Sequence, residues 1–164
     1  MMERPRTESP YVGPSPFRQD QRDLFFGRER EIARLAALVS ANPVTLFYGQ
    51  SGAGKSSVIN AGLVPELRQD GYEVLPATRV GVDARGWRES VNVFVYNAIA
   101  GWIESSAELP TNLAQMSIAD YLTLRERERD KYELPVPRVI IFDQFEELFR
   151  THPDRWQDRL PFFE

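Results

Sequence analysis

Residues 49–56 read Gly-Gln-Ser-Gly-Ala-Gly-Lys-Ser, a complete P-loop pattern of glycine, four residues, glycine, lysine and serine. No other stretch constrains the chain as tightly. Gly49 and Gly54 let the backbone turn sharply and approach an anion with no Cβ in the way, so that successive N–H groups can converge on phosphate oxygens. Gly52 adds room, and Gln50, Ser51 and Ala53 complete the loop. A helix expected from Lys55 aims its unpaired N–H groups and positive dipole end at the same point. Lys55 can then reach β- and γ-phosphates, Ser56 can offer its hydroxyl to Mg²⁺, and Ser57 supports the loop from the helix. At average residue frequencies the pattern arises by accident in below about one per cent of chains this long. Phosphate binding does not by itself establish hydrolysis.

The surroundings of the loop decide whether the pattern has the context it needs. Val44-Thr-Leu-Phe-Tyr48 is a short apolar run that predicts a buried parallel strand leading into the loop. Before it, Ile32, Leu35, Ala36 and Val39 predict one face of a helix over 28–40, stopped by Asn42-Pro43. After it, the Lys55 helix is expected to run to about Leu63 and to resume beyond Pro65, until Asp70-Gly71. A second strand is expected over 72–80, made irregular by Pro76. Val91, Val95, Ala98, Ile99 and Trp102 make the apolar stripe of a helix over 87–103. A loop at 109–112 follows. Ser117 and Asp120 have capping-box spacing, and the mixed-sign run 125–133 reads as a solvated helix end. Arg138-Val-Ile-Ile-Phe142 is the strongest strand candidate. Strand, helix, strand, helices, strand is the order of an α/β chain with a parallel sheet covered on both faces. Residues 1–23, rich in proline and charge, read as an extended arm, and 24–164 as a single P-loop domain.

Composition narrows the partners. With 20 Lys and Arg against 24 Asp and Glu, the net charge of −4 supplies no diffuse pull on nucleic acid, and no nucleic-acid partner is expected. The chain has no cysteine, which removes thiolate chemistry, and no run of 18 apolar residues, so a cytoplasmic protein without a membrane partner is expected.

A second chemical element sits at the end of the third strand. Asp143 brings a carboxylate to the sheet's carboxyl edge, where it is expected to hold Mg²⁺ through water. Glu146 and Glu147 follow three and four residues later, and a helical turn would return either one to orient a water for attack on a γ-phosphate. Spacing does not choose between them. Arg79 fits a phosphate contact or an exposed ion pair, His152 a surface role, and Phe25 and Phe26 either a helix staple or an adenine wall.

The segments Pro10-Tyr-Val-Gly-Pro-Ser-Pro-Phe17, Phe25-Phe-Gly-Arg-Glu29, Gly49–Ser57 with Val58-Ile-Asn-Ala-Gly-Leu-Val-Pro65, and Asp143-Gln-Phe-Glu-Glu-Leu-Phe149 together resemble the novel STAND NTPase family. The likeness runs from residue 10 to about 150, and the Gly-Arg-Glu and Asp-Gln-Phe-Glu-Glu-Leu-Phe segments make it specific. It implies a three-layer αβα P-loop fold and a regulatory ATPase, related to NACHT and NB-ARC switches, whose nucleotide controls self-assembly of a larger signalling protein. It implies Gly27 and Arg28 near base and sugar, Lys55 and Ser56 at phosphates and Mg²⁺, and Asp143 with Glu146 or Glu147 at the hydrolytic site. Gln144 stands where many hydrolytic P-loop ATPases have glutamate, which leaves the catalytic glutamate open. Members of the family continue with a sensor strand, a lid and repeats, so the chain is expected to be the front half of an NTPase domain with little turnover alone. Two rivals are a nucleotide-binding module without turnover and a nucleic-acid motor, which the charge disfavours.

Overall fold

The computed structural model describes residues 15–82, 91–103 and 112–163. The expectations for residues 1–14, for the helix start at 87–90 and for most of the 109–112 loop lie outside them. The chain divides into two compact units, one ending at Asp70 and the other beginning at Gly71.

In the first unit a 3-10 turn, Gln19–Leu24, precedes helix α1, Glu29–Ala41. Leu35 and Ala36 are its buried positions and Ile32 and Val39 are half-buried, as the spacing requires. Helix α2 occupies residues 55–69 without a break: an α turn at Lys55–Ser57, a π segment at Val58–Leu63, and α again at Val64–Gln69. Pro65 falls in the first turn of the last piece, where its missing N–H leaves no gap. Val58, Leu63, Val64 and Leu67 form the buried side of α2. α1 crosses it at Gly62, where a Cβ would lie 2.5 Å from Ile32 Cγ1, so the close approach needs glycine.

The second unit carries the sheet. β1, Glu73–Val74, pairs in parallel with β2, Arg138–Val139, with Glu73 opposite Arg138 and Val74 opposite Val139. Beyond Pro76, which has no N–H to give, the ladder resumes with Thr78 opposite Phe142. Glu73 and Arg138 also meet through their side chains at 2.9 Å, 6% and 4% exposed. Arg138 donates onward to the carbonyls of Leu122 at 3.0 Å and Glu126 at 2.8 Å, which ties the end of helix α4, Ile118–Leu124, to the strand. α4 opens on the expected capping box, with the Ser117 hydroxyl accepting from Asp120 N–H. The Ser117 N–H and hydroxyl hold the Asp120 carboxyl below its ordinary range.

Helix α3, Val93–Gly101, is buried on every face from Val93 to Ile99. One apolar stripe was the expectation; the helix is instead the centre of this unit's core, with Leu75, Val80, Trp102, Tyr121 and Leu148 around it. Asn97, 3% exposed, is tolerated there because its amide donates to Val80 O at 2.7 Å. Helix α5, Glu147–Arg150, follows β2 and is anchored by the fully buried Leu148.

The expected strand at Val44–Tyr48 is the main departure. Among the described residues it joins no sheet, and Val44, Leu46 and Tyr48 are 84%, 75% and 82% exposed. An apolar run becomes a strand only when a neighbour accepts and donates along it, and no described segment does so here. The fold is mixed α/β, with a sheet of two short parallel strands among the described residues. No helix among them is long and apolar enough to cross a membrane.

Two outcomes are expected. Arg138→Met leaves the buried Glu73 carboxylate with only the more distant Arg125, at 4.0 Å, and the Glu128 N–H, at 3.4 Å, and should lower stability by about 3 kcal/mol in urea unfolding, with the double change Glu73→Leu/Arg138→Met recovering part of the loss. Exposed apolar runs favour association, so light scattering should find the chain self-associated, and Leu46→Lys should raise the monomer fraction.

Candidate functional site

The loop before α2 owes its shape to two glycines. Gly52 and Gly54 sit at φ of 77° and 80°, left-handed values that other residues adopt only with strain. A turn between them is closed by Ala53 N–H donating to Gln50 O at 3.2 Å, and the helix begins where Val58 N–H donates to Gly54 O at 2.9 Å. Residues 49–53 are exposed, while Gly54, Lys55 and Ser56 are half-buried. A Cβ at Gly52 would meet nothing within 4 Å, so that glycine answers to backbone conformation and leaves open space beside the loop.

Two cations tie down the loop carbonyls. Lys55 Nζ donates to Gly49 O at 3.0 Å and to Gln50 O at 3.1 Å. Arg28 Nη2 donates to Ala53 O at 2.6 Å, and its Nη1 pairs with Glu31 at 3.0 Å. Ser57 is buried, and its hydroxyl accepts the N–H of Phe17 at 3.1 Å, a support from the segment before α1. Gly27, at φ of 83°, gives its N–H to the Glu29 carboxylate at 2.8 Å. That bond, with Glu29's own N–H, holds the Glu29 carboxyl below its ordinary range.

The structure therefore brings Arg28 to the P-loop, through the backbone. The Phe25 ring packs on Phe17 at 5.3 Å, and Phe26 is 73% exposed.

In the second unit, Thr78 sets the acidic element. Thr78 O accepts the Asp143 N–H at 2.8 Å directly after the Thr78–Phe142 pairing, which fixes Asp143 at the end of the strand. The chain then turns at Gln144, φ 54°, whose N–H caps Asp143 Oδ1 at 3.0 Å, and enters α5. Glu146 and Glu147 now separate. Glu146, at the N-cap of α5, is exposed. Glu147 is 12% exposed at its side chain, ion-paired with Arg79, and accepts Gly81 N–H at 3.2 Å. The Gly81 backbone comes so near α5 that a Cβ there would lie 2.6 Å from Glu147 Cβ. Arg79 thus takes the ion-pair role rather than a free one. His152 is half-buried, with its ring edge on Phe94 at 6.0 Å.

Sequence reasoning passed over Glu31, Thr78 and Phe17. The Arg28–Glu31 spacing of three on a helix was the signal for the first; strand pairing and a backbone donor left no signal for the other two. A concavity of about 460 Å³ lies in the second unit, lined by Arg125, Arg127 and Arg129 with Glu126, and by none of the P-loop residues. Among the described residues no group of three His, Asp or Glu side chains gathers as a metal cage.

Loss of the Arg79 tie should distinguish the two glutamates in thermal melts. Arg79→Met is expected to lower stability by about 1 kcal/mol or less, since Arg79 is half-exposed, whereas Glu146→Gln should leave it unchanged.

The sequence model of the family described as Novel STAND NTPase 1 matches residues 10–164. Neither the curated proteins nor the solved structures contain a match to the chain.

Proposed function

The chain belongs to the Novel STAND NTPase 1 family, and from that premise we propose that it binds the phosphates of ATP with Mg²⁺ through residues 49–57, as the nucleotide-binding part of a regulatory switch. The observation that carries the reading is the loop itself: Gly52 and Gly54 at left-handed φ, directly before a helix whose first residue is Lys55. Such a loop turns its N–H groups to one side and leaves its carbonyls to the other, which is what an anion requires.

The residues fit the groups assigned to them. Lys55, on the flexible stem of a lysine, can leave the carbonyls of Gly49 and Gln50 for a β- or γ-phosphate. Gln50, Ser51, Gly52, Ala53 and Gly54 supply backbone donors, and Gly27 and Arg28 belong with the nucleotide by family likeness. Ser56 and Asp143 are the oxygen ligands for Mg²⁺, an ion that usually takes one or two protein ligands and the substrate's phosphates. When bound, the ion would supply positive charge to offset the charge that develops on the phosphate oxygens. Glu146 is the carboxylate we assign to orient water, because Glu147 is already held by Arg79 and Gly81.

In this reading the domain is a three-layer αβα P-loop NTPase, related to NACHT and NB-ARC switches. The run Val44–Tyr48, directly before the P-loop, is apolar and exposed and outside any described sheet. The parent would act in the cytoplasm, hydrolyse ATP and control self-assembly in signalling. The same exposed run favours a second reading, a nucleotide-binding module without turnover.

Titration of the chain with ATP tests the site. Lys55→Ala should weaken binding at least tenfold, about 1.4 kcal/mol, through loss of a charge-assisted contact, and unchanged affinity in folded protein would reject the site. In a parent that releases phosphate, Glu146→Gln should slow release by roughly 10² with ATP still bound, while tight binding without release selects the module.

A further inference from the structure

We propose that Arg28 is a positioning residue that sets the P-loop for phosphate by holding the Ala53 carbonyl, with Glu31 holding Arg28 in turn; the inference rests on the phosphate-binding reading above. The family likeness puts Arg28 beside base and sugar, whereas its contacts run to the loop backbone and to α1.

The argument starts from the peptide plane. The carbonyl of one residue and the N–H of the next point in opposite directions across a rigid trans amide. Fixing Ala53 O therefore fixes the direction of Gly54 N–H, and fixing the carbonyls of Gly49 and Gln50 fixes the N–H groups of Gln50 and Ser51. The three carbonyls are held by two side chains, Lys55 on the first pair and Arg28 on the third.

The two holders are not equivalent. Lys55 is the residue that a phosphate draws away, so its grip on Gly49 and Gln50 ends as the ligand arrives. Arg28 reaches the loop from α1's N-cap, on a carbonyl, and can stay there with phosphate bound. Its peptide, like the one before Gly52, is also free to flip unless held. Ala53–Gly54 precedes a glycine at φ of 80°, and a glycine admits the flipped peptide with little steric penalty. A flip would turn Gly54 N–H away and present a carbonyl to the anion. The guanidinium donates to Ala53 O through Nη2 and to Glu31 through Nη1, so one planar group joins helix and loop.

The test compares ATP with inorganic tripolyphosphate, which has no base or sugar, both with Mg²⁺, by calorimetric titration of the full chain. Arg28→Ala should weaken both by the same factor, about fivefold, as expected for one charged hydrogen bond at a half-exposed site. Arg28→Lys, which keeps a donor, should recover most of that loss, and Glu31→Gln should weaken both probes to a smaller extent, with melting temperatures unchanged throughout. A loss for ATP alone would assign Arg28 to base or sugar and overturn the proposal. Tighter binding by Glu31→Gln would mean that Arg28 meets phosphate directly, and would overturn it equally. Wild-type binding of both probes with Arg28→Ala unaltered rejects the brace and leaves the phosphate reading intact; wild-type protein that binds neither probe rejects both.

Discussion

The pairing of Glu73 with Arg138 fixes the register in which the second unit's sheet begins. The two residues face each other across a parallel register and bond through their side chains, both almost fully buried. A buried ion pair is no guarantee of net stability, because desolvating two charges is costly, but it is a strict statement of register: a slip of either strand by one residue would turn that strand's charge to the opposite face and part the pair. Around Pro76 the first strand takes one extra residue, so the pairing that resumes is Thr78 with Phe142, and the Thr78 carbonyl takes the Asp143 N–H. The acidic element is placed by that second pairing.

The same strand end explains why two adjacent glutamates have different lives. After Asp143 the chain must turn within one residue, and Gln144 does so at left-handed φ. The short helix that follows cannot present both carboxylates to one side, since neighbouring residues on a helix point about 100° apart. Leu148 is the residue that must be buried, which rotates Glu147 toward Arg79 and Gly81 and leaves Glu146 outward. Packing separates two carboxylates that spacing leaves equivalent.

What could be read from the sequence had a local cause. The glycine positions encode left-handed backbone, so the loop was legible; so were the α1 face, the Ser117–Asp120 cap, the irregularity at Pro76 and the strand end at Asp143. What was missed depended on partners distant in the chain. Val44–Tyr48 has the composition of a strand, yet a strand is a relation between segments, and composition states only one side of it. The 93–101 helix looked one-faced because its polar positions were counted as exposed, when Asn97 is satisfied inside by a carbonyl from the loop after β1. The tie of Arg79 to Glu147 spans 68 residues and has no local signature.

The loop and the acidic element are held by separate means. Arg28 and Lys55 brace the P-loop backbone from within the first unit, and Thr78, Arg79 and Gly81 fix Asp143 and Glu147 within the second. Arg79 and Glu147 take no part in the bonds from Lys55 and Arg28 to the loop carbonyls, and Arg28 takes no part in the turn after Asp143. Residues in no shared network act additively to a good approximation. Under the proposed phosphate reading, the bonds that shape the loop can be altered without altering those that hold Asp143 and Glu147.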